Sequence, residues 1–285
     1  MATSMSNKRF LVLVNPSSHG GRARRRWREF ARRLPDYDCV ILRDIAEARQ
    51  LAQRASGYQT VVAVGGDGTI SAVADGVLRN PDPALSLGVL YAGTSPDFCK
   101  FHGIPYDQSS VEFLLRAKIH EIPVLQVNGV HFFGACNLGI GAEVARLANR
   151  LRPRLGDRLG TFCALFWTLL RAHRRTFLLN GERLDACNHL LVTRMNYLAS
   201  GLKLALPPLA DNEFAVWQLC GESFLGMLRT VFRLYRGRPC GTVRVFAGPL
   251  RIESPEAVAV EFDGDPQGTL PAEITVAPRR LRLLK

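Results

Sequence analysis

Residues Val61 to Ile70 read VVAVGGDGTI, and this stretch limits the fold more than any other. Four apolar residues run into a Gly-Gly-Asp-Gly-Thr turn, and apolar residues return at helical spacing at Ile70, Val73, Ala74, Val77 and Leu78. That pattern predicts a buried strand, a tight turn and a helix start. The glycines permit positive φ and close approach of a second backbone or of a ligand. Thr69 is placed to cap the helix. The leading N–H groups of that helix face whatever lies over the turn, and they favour an anion. Phosphate binding follows from this reading. The plain alternative is a strand-to-helix turn with one surface carboxylate.

Two common phosphate motifs do not fit. The string G-x-x-x-x-G-K-[ST] does not occur in the chain. A dinucleotide fingerprint starting at Gly66 and Gly68 is broken by Ser71, which stands where the third glycine belongs. Asp67, inside the turn, would repel a bare pyrophosphate, so it implies Mg²⁺ or another neutralising cation nearby.

Around this motif, strands and helices alternate. Strands are expected at Phe10 to Val14, Cys39 to Leu42, Thr60 to Val64 and Ser86 to Leu90, with helices at about Arg22 to Leu34 and at Ile45 to Ala55. Such alternation predicts a parallel, doubly wound α/β sheet. Ligands of these sheets gather beyond the carboxyl ends of the strands. Three loops rich in Gly, Ser or Thr fall at those ends: Asn15 to Gly21, Gly65 to Thr69 and Gly93 to Asp97. After about Pro123 the texture changes. Asn128-Gly129 is a hairpin signal, residues 146–177 read as helical, and short β-like runs dominate from Phe177 onward, with a helix near Phe224 to Arg236. This second part is expected to be mostly antiparallel and β-rich.

Net charge is +12, from 37 basic and 25 acidic residues, and Arg clusters at 22–33, 146–158 and 171–175. Solvated helix faces are the ordinary fate of such runs. An anionic membrane surface or a polyphosphate are functional alternatives. With no basic-plus-aromatic recognition module, no nucleic-acid partner is expected. Seven scattered cysteines without C-x-x-C suit reduced thiols in the cytosol rather than disulfides or zinc. The first residues hold too short an apolar run for a signal peptide. TFCALFWTLL (Thr161 to Leu170) is half of the roughly 20 residues a membrane span needs. The expected location is cytoplasmic, soluble or peripheral at the inner face of the membrane.

Several stretches together carry a resemblance. NPSSHGGRA looks like an N-P-x-S-G-x-x-x-G opening, VGGDGTISAVADGVL like G-G-D-G-T-x-x-E-V, and LGVLYAGTSPDFCKFHGIP like L-G-x-x-P-x-G-T-x-N-D-F-A-R-x-x-G-I-P. VTRMNYLASGLKLALPPLADNEFAVWQL matches an Asn-containing strand, a glycine loop and an A-x-x-x-D-G segment, and EFDGDPQG matches a terminal D-G-E. In this order and spacing they resemble the diacylglycerol kinase catalytic-domain superfamily, especially the bacterial lipid kinases, nearly end to end. The resemblance implies an α/β domain at 1–123, to which 273–285 return, a β-rich lipid- and metal-binding domain at 124–272, and a nucleotide cleft between them. It implies transfer of the γ-phosphoryl of ATP to a hydroxyl of diacylglycerol or a similar lipid, in phospholipid metabolism. On the matching positions, Gly65, Gly66, Asp67, Gly68, Thr69, Ile70 and Ser71 hold the nucleotide phosphates together with Gly93, Thr94 adds a hydroxyl, and Asn15 orders the first loop. Asp211 supplies a Mg²⁺ carboxylate, with carbonyls at Pro208 and Glu213. Asp263 and Asp265 are the D-G-E carboxylates, one of which deprotonates the lipid hydroxyl; Asp67 completes the catalytic set. The implied partners are a lipid with a free hydroxyl and an anionic membrane surface. A homodimer is left open.

The chain departs from that pattern at informative places. Ala72 stands where the family has Glu, and Asp75, one turn on, lies about 4.5 Å farther along the helix axis. Pro96 replaces Asn and removes a backbone N–H with it. Asp265 replaces Glu and is shorter by one methylene, which reduces the reach of a general base. Asn212 replaces Gly, a mild change because Asn tolerates left-handed geometry. Two readings follow: an active lipid kinase, or a catalytically weakened relative that binds nucleotide or lipid without efficient transfer. NAD kinases share GGDGT, but the chain has no N-E-x-x-x-D-type segment, and Leu138 to Asn149 fits the lipid kinase pattern better. Leu159 to Leu170, with Phe162, Phe166 and Trp167 between Arg158 and Arg171, Arg174 and Arg175, reads as a membrane-docking helix or as a helix packed into the core. His19 is expected to be a solvated loop residue.

Overall fold

The computed structural model describes residues 9–198 and 202–285; at residues 152, 157, 158 and 265 it describes the backbone alone. The chain divides into two compact units, one running to Val124 and including Pro278–Lys285, the other Leu125–Ala277.

The first unit alternates as its sequence pattern requires: β1 (Phe10–Val14), α1 (Ala23–Ala31), β2 (Tyr37–Ile41), α2 (Ile45–Arg54), β3 (Thr60–Gly65), α3 (Asp67–Arg79), β4 (Ser86–Tyr91), α4 (Asp97–His102), α5 (Ser110–Arg116) and β5 (Ile119–Ile122). The sheet order is β2-β1-β3-β4, then the last strand of the chain (Leu281–Leu284), then β5. The first four strands and the last strand run parallel, and β5 is antiparallel to the last strand. Every residue of β1, β3 and β4 is buried, because helices cover both faces of a parallel sheet, whereas the edge strand β2 is half-exposed. On one face, Ala23, Trp27 and Phe30 of α1 pack with Val111 and Leu114 of α5. On the other, α3 meets α2 so closely that a Cβ on Gly76 would lie 2.4 Å from Arg49 O.

The second unit is a branched antiparallel sheet of 11 strands. Its elements are β6 (Leu125–Val127), β7 (Val130–Phe132), β8 (Ala135–Gly139), α6 (Ile140–Leu170), β9 (Arg175–Leu179), β10 (Glu182–Thr193), β11 (Tyr197–Leu198), β12 (Leu202–Lys203), β13 (Glu213–Cys220), α7 (Phe224–Tyr235), β14 (Thr242–Ala247), β15 (Leu250–Glu253), β16 (Ala259–Phe262), β17 (Asp265–Thr269) and β18 (Ala272–Val276). Its main path is β17-β16-β8-β10-β9-β15-β18-β6-β7, with β13 and β14 branching from β10 and a small β11-β12 hairpin apart. Three hairpins turn through two residues of positive φ: Asn128-Gly129, Asn180-Gly181 and Asp263-Gly264. These pairs suit the primed turns whose twist matches that of the strands. The helix expected at 146–177 is α6, which ends at Leu170, residues 175–177 belonging to β9; it breaks at Gly156 (φ 77°, ψ 168°), three residues after Pro153.

Two expectations are corrected here. The strand expected to return to the first unit, from residue 273, is β18, which stays in the second sheet between β15 and β6. Its alternation of buried Ala272 and Ile274 with exposed Glu273 suits a sheet with one wet face. Leu281–Leu284 makes the return, with Leu281, Leu283 and Leu284 all buried. Helix α3 also starts earlier than a Thr69 cap would allow. Gly66 is its N-cap, in extended conformation, and Thr69 lies inside the first turn. All seven cysteines are unpaired thiols. Among the described residues no helix is long and apolar enough to cross a membrane.

Candidate functional site

Because β1, β3 and β4 are parallel neighbours, their carboxyl ends lie side by side, with Val14 in register with Val64 and Val64 with Leu90. The three glycine-rich loops therefore leave the sheet on one edge. Specific hydrogen bonds tie them together. Asn15 Nδ2 donates to Thr69 Oγ1 at 2.9 Å, and Asn15 Oδ1 accepts from Ser17 N (3.1 Å) and Ser17 Oγ (2.7 Å). Ser18 Oγ lies 3.4 Å from the same Thr69 hydroxyl. Asn15 and Thr69 are buried, so this is an internal strut between the first and second loops. Asn15 ties the first loop to the second. Thr69 does not cap α3, and its hydroxyl is turned inward.

The glycines set the spacing. A Cβ on Gly65 would lie 2.4 Å from Thr69 Oγ1, and one on Gly93 would lie 2.4 Å from Gly66 Cα. The second and third loops thus approach backbone to backbone, which only glycine allows. Gly68 is different: a Cβ there meets nothing within 4 Å. The space above the first turn of α3 is open. Ile70 corrects its expected role, since its side chain is in the core and its N–H donates to Gly66 O at 3.0 Å. Ser71 is half-buried one residue on, and Thr94 is exposed at the rim of the third loop.

His19 also departs from expectation. Its Nδ1 is 2.9 Å from Gly93 O, and Arg22 Nη1 approaches its Nε2 at 3.1 Å. A carbonyl only accepts and a guanidinium only donates, so in this arrangement Nδ1 donates to Gly93 and Nε2 accepts from Arg22. The half-buried ring ties the first loop to the third, and Thr94 Oγ1 lies 3.4 Å from the same nitrogen.

Carboxylates stand beside the open turn. Asp67 Oδ2 accepts from Asp97 N at 3.2 Å, and Asp97 is buried. Burial pushes the Tyr91 hydroxyl far above its usual range, and the charges of Asp67, Cys99 and Asp97 add to this. Burial, then Asp67, raises the Cys99 thiol likewise. Asp97 was not singled out from the sequence; its signal was the Asp of the G-T-x-N-D-F match. Asp75 is no substitute for the carboxylate missing at Ala72. It is buried and held by Arg49 Nε and Arg79 Nε, both at 2.8 Å, on the side of α3 facing α2.

In the second unit, the Asp263-Gly264 turn is clamped from beneath. Asp263 Oδ2 accepts from Phe133 N (2.9 Å) and Oδ1 from Gly134 N (2.8 Å). Both oxygens thus accept from main-chain N–H groups of the β7–β8 connection. Glu261, also missed in the sequence, is buried, with Oε2 accepting from Asn137 Nδ2 and Oε1 from Gly264 N, both at 2.6 Å. Asp265 opens β17 directly after this braced turn; its side chain lies outside the described atoms.

The expected Mg²⁺ set is also rearranged. Pro208 and Asp211 are exposed. The Glu213 carboxylate accepts from Ala210 N at 2.8 Å, and the main-chain oxygen of Glu213 accepts from the Arg194 guanidinium. Among the described residues no group of three or more His, Cys, Asp or Glu side chains is placed to hold a metal. The residues at this turn do not fit the metal that the resemblance implies.

An α/β unit with a glycine-lined loop edge, followed in the chain by an antiparallel β unit, defines the architecture of the diacylglycerol kinase type. Residues 9–127 match the diacylglycerol kinase catalytic domain. A protein of Pseudomonas aeruginosa PAO1 named "Probable lipid kinase YegS-like" is 28% identical over 255 residues, covering 83% of this chain and 80% of that protein. A protein of the same name from Yersinia pestis is 31% identical over 147 residues, 51% of this chain and 45% of its own length. A crystal structure of a diacylglycerol kinase from Bacillus anthracis shares the fold with a TM-score of 0.78 at 18% identity, over 100% of this chain and 98% of that one.

Proposed function

We propose that the protein is an ATP-dependent lipid kinase that phosphorylates a hydroxyl of diacylglycerol or of a similar lipid. One observation carries this reading: three loops, bound to each other through Asn15–Thr69 and His19–Gly93, frame an open helix start beside Asp67 and Asp97. The N–H groups at the start of α3 suit the triphosphate. Asp67 and Asp97 suit the Mg²⁺ that travels with ATP, which neutralises charge on the transferring group. On the resemblance, one of Asp263 and Asp265 takes the proton of the lipid hydroxyl. The hydroxyl oxygen then forms the new bond to the γ-phosphorus as the bond to the β-bridging oxygen breaks, and ADP leaves. The expected result of incubating the protein with [γ-³²P]ATP and a total lipid extract is one labelled lipid product. No labelled lipid from any extract would defeat this proposal.

A second reading has its own support. Ala72 leaves no carboxylate where the family pattern has Glu, and Asp75 is spent on Arg49 and Arg79. Nucleotide-induced thermal stabilisation with no lipid product would favour a binding protein of this fold. Absence of NADP formation would dispose of the NAD kinase alternative.

The lipid side finds support in the second half of α6 and in α7. Phe162 is 65% exposed and Leu225 74%, and Leu159, Phe166, Trp167, Leu170, Phe232 and Tyr235 are exposed with them. The helices meet through Phe166 and Phe224, whose ring centroids are 6.1 Å apart. Arg171 lies over Trp167 and Arg236 over Phe232. Aromatic side chains flanked by arginines suit insertion at the headgroup level of an anionic bilayer. The core-packing alternative is thus overturned for these residues. Seven unpaired thiols suit a reducing compartment, so the proposed place of action is the cytoplasmic membrane face. Binding to phosphatidylglycerol vesicles is expected to fall with added salt, and Phe162→Glu with Phe232→Glu is expected to weaken it by about tenfold or more. Turnover of a short-chain, water-soluble diacylglycerol should be unchanged in that variant. Equal vesicle binding by wild type and variant would count against the docking face.

A further inference from the structure

The turn that the resemblance assigns to Mg²⁺ already holds a cation. Arg194 directly follows β10, and its Nη1 donates to Ala210 O (2.9 Å), to Asp211 O (3.4 Å) and to Glu213 O. Three main-chain oxygens of one turn converge on a single guanidinium nitrogen. The turn is closed by Glu213 N donating to Ala210 O (3.0 Å) and by the Glu213 carboxylate accepting from Ala210 N (2.8 Å). Converging carbonyls concentrate negative potential, and such a focus calls for positive charge. A hard divalent ion meets that demand with an oxygen shell. A guanidinium meets it with several N–H donors in a fixed plane, and it stays charged at any pH a protein tolerates. The two solutions exclude each other. Of the oxygens that the resemblance assigns to the ion, the Glu213 carbonyl already accepts a hydrogen bond from this guanidinium, and the ion would face a positive charge within a few ångströms.

We propose that Arg194 is the built-in cation of the 210–213 turn, so that this segment and the start of β13 are ordered without a divalent metal. The inference does not rest on the kinase reading, because it concerns order in one turn and not phosphoryl transfer. The Mg²⁺ that accompanies ATP is a separate ion.

The test is thermal unfolding of the full chain without nucleotide, in millimolar Mg²⁺ and in excess EDTA. Wild type is expected to show the same Tm in both. Arg194→Met keeps most of the apolar stem and removes the charge; its Tm is expected to be roughly 3–8 °C lower in EDTA. Arg194→Lys keeps the charge with a less well-matched donor set, and it should recover part of the loss. If Arg194→Met does not fold, the Lys variant and the wild-type comparison decide. A wild-type Tm that falls on chelation would overturn the proposal, as would an Arg194→Met variant as stable as wild type. Equal Tm for the Lys and Met variants would also overturn it, since charge would then not matter.

Discussion

Gly68→Ala is expected to raise the Tm of the protein while weakening ATP binding by on the order of 100-fold. The two effects come from the same place in the structure. Gly68 lies in the first turn of α3 with no positive φ, and a Cβ there meets nothing within 4 Å. The fold therefore has no steric use for glycine at this position. Replacing it with alanine removes the entropic penalty of glycine in a helix, about 0.5–1 kcal/mol, or roughly 1–4 °C for a protein of this size. If phosphates rest on the helix start, the added methyl occupies the space they need. Calorimetric titration with ATP and a thermal scan on one preparation measure both signs. Unchanged ATP affinity in a stabilised variant would show that the triphosphate does not sit over this turn. Gly93→Ala is the contrasting control, because its Cβ would lie 2.4 Å from Gly66 Cα, and it should lower both stability and binding.

Asp67→Asn is expected to lower kcat by about 100–1,000-fold and to leave Tm unchanged or slightly higher. The amide oxygen can still accept the hydrogen bond from Asp97 N, so the contact between the second and third loops survives. What is lost is one negative charge from a crowded place, where Asp67 and Asp97 both bear on the Tyr91 hydroxyl. Removing a like charge from that group costs the fold nothing. It does remove the oxygen charge proposed to hold the nucleotide's cation, and charge neutralisation is most of what phosphoryl transfer requires. Steady-state kinetics with the lipid product as readout, beside a thermal scan, decide the matter. Activity within about threefold of wild type would remove Asp67 from the mechanism.

Both substitutions raise or spare stability while removing function. That is the signature of residues kept for a ligand and not for the fold. Asn15→Leu should behave in the opposite way. It strands the Thr69 hydroxyl and the Ser17 N–H, so it is expected to cost about 1–3 kcal/mol of stability before any effect on nucleotide is counted.

Much of the architecture was legible from short-range pattern. Apolar runs at Phe10–Val14, Thr60–Gly65 and Ser86–Tyr91 could be satisfied only in a sheet covered on both faces. Asn-Gly and Asp-Gly pairs marked hairpins because their φ values suit the twist of paired strands. The glycine-rich loops fell at strand ends, and parallel strands necessarily bring those ends together. These features depend on neighbours along the chain or on strand direction, so the residue order carries them.

Other features required partners that are distant in sequence. Asn15 and Thr69 are 54 residues apart, and His19 and Gly93 are 74 apart. Nothing near Thr69 reveals that its hydroxyl turns inward, and nothing near His19 reveals its bond to Gly93. The carboxylates of Asp263 and Asp265 look alike in the string FDGD, yet Asp263 accepts from two peptide N–H groups of the β7–β8 connection, about 130 residues away. Arg194 and Ala210 are 16 residues apart, and only the folded 210–213 turn brings its carbonyls to the guanidinium. The residue order settled which elements form and which edge of the sheet carries the loops, since backbone geometry and apolar periodicity are local properties. Packing alone settled which polar atoms are spent on the protein and which are left for a ligand, because a hydrogen bond is assigned only when two remote segments meet.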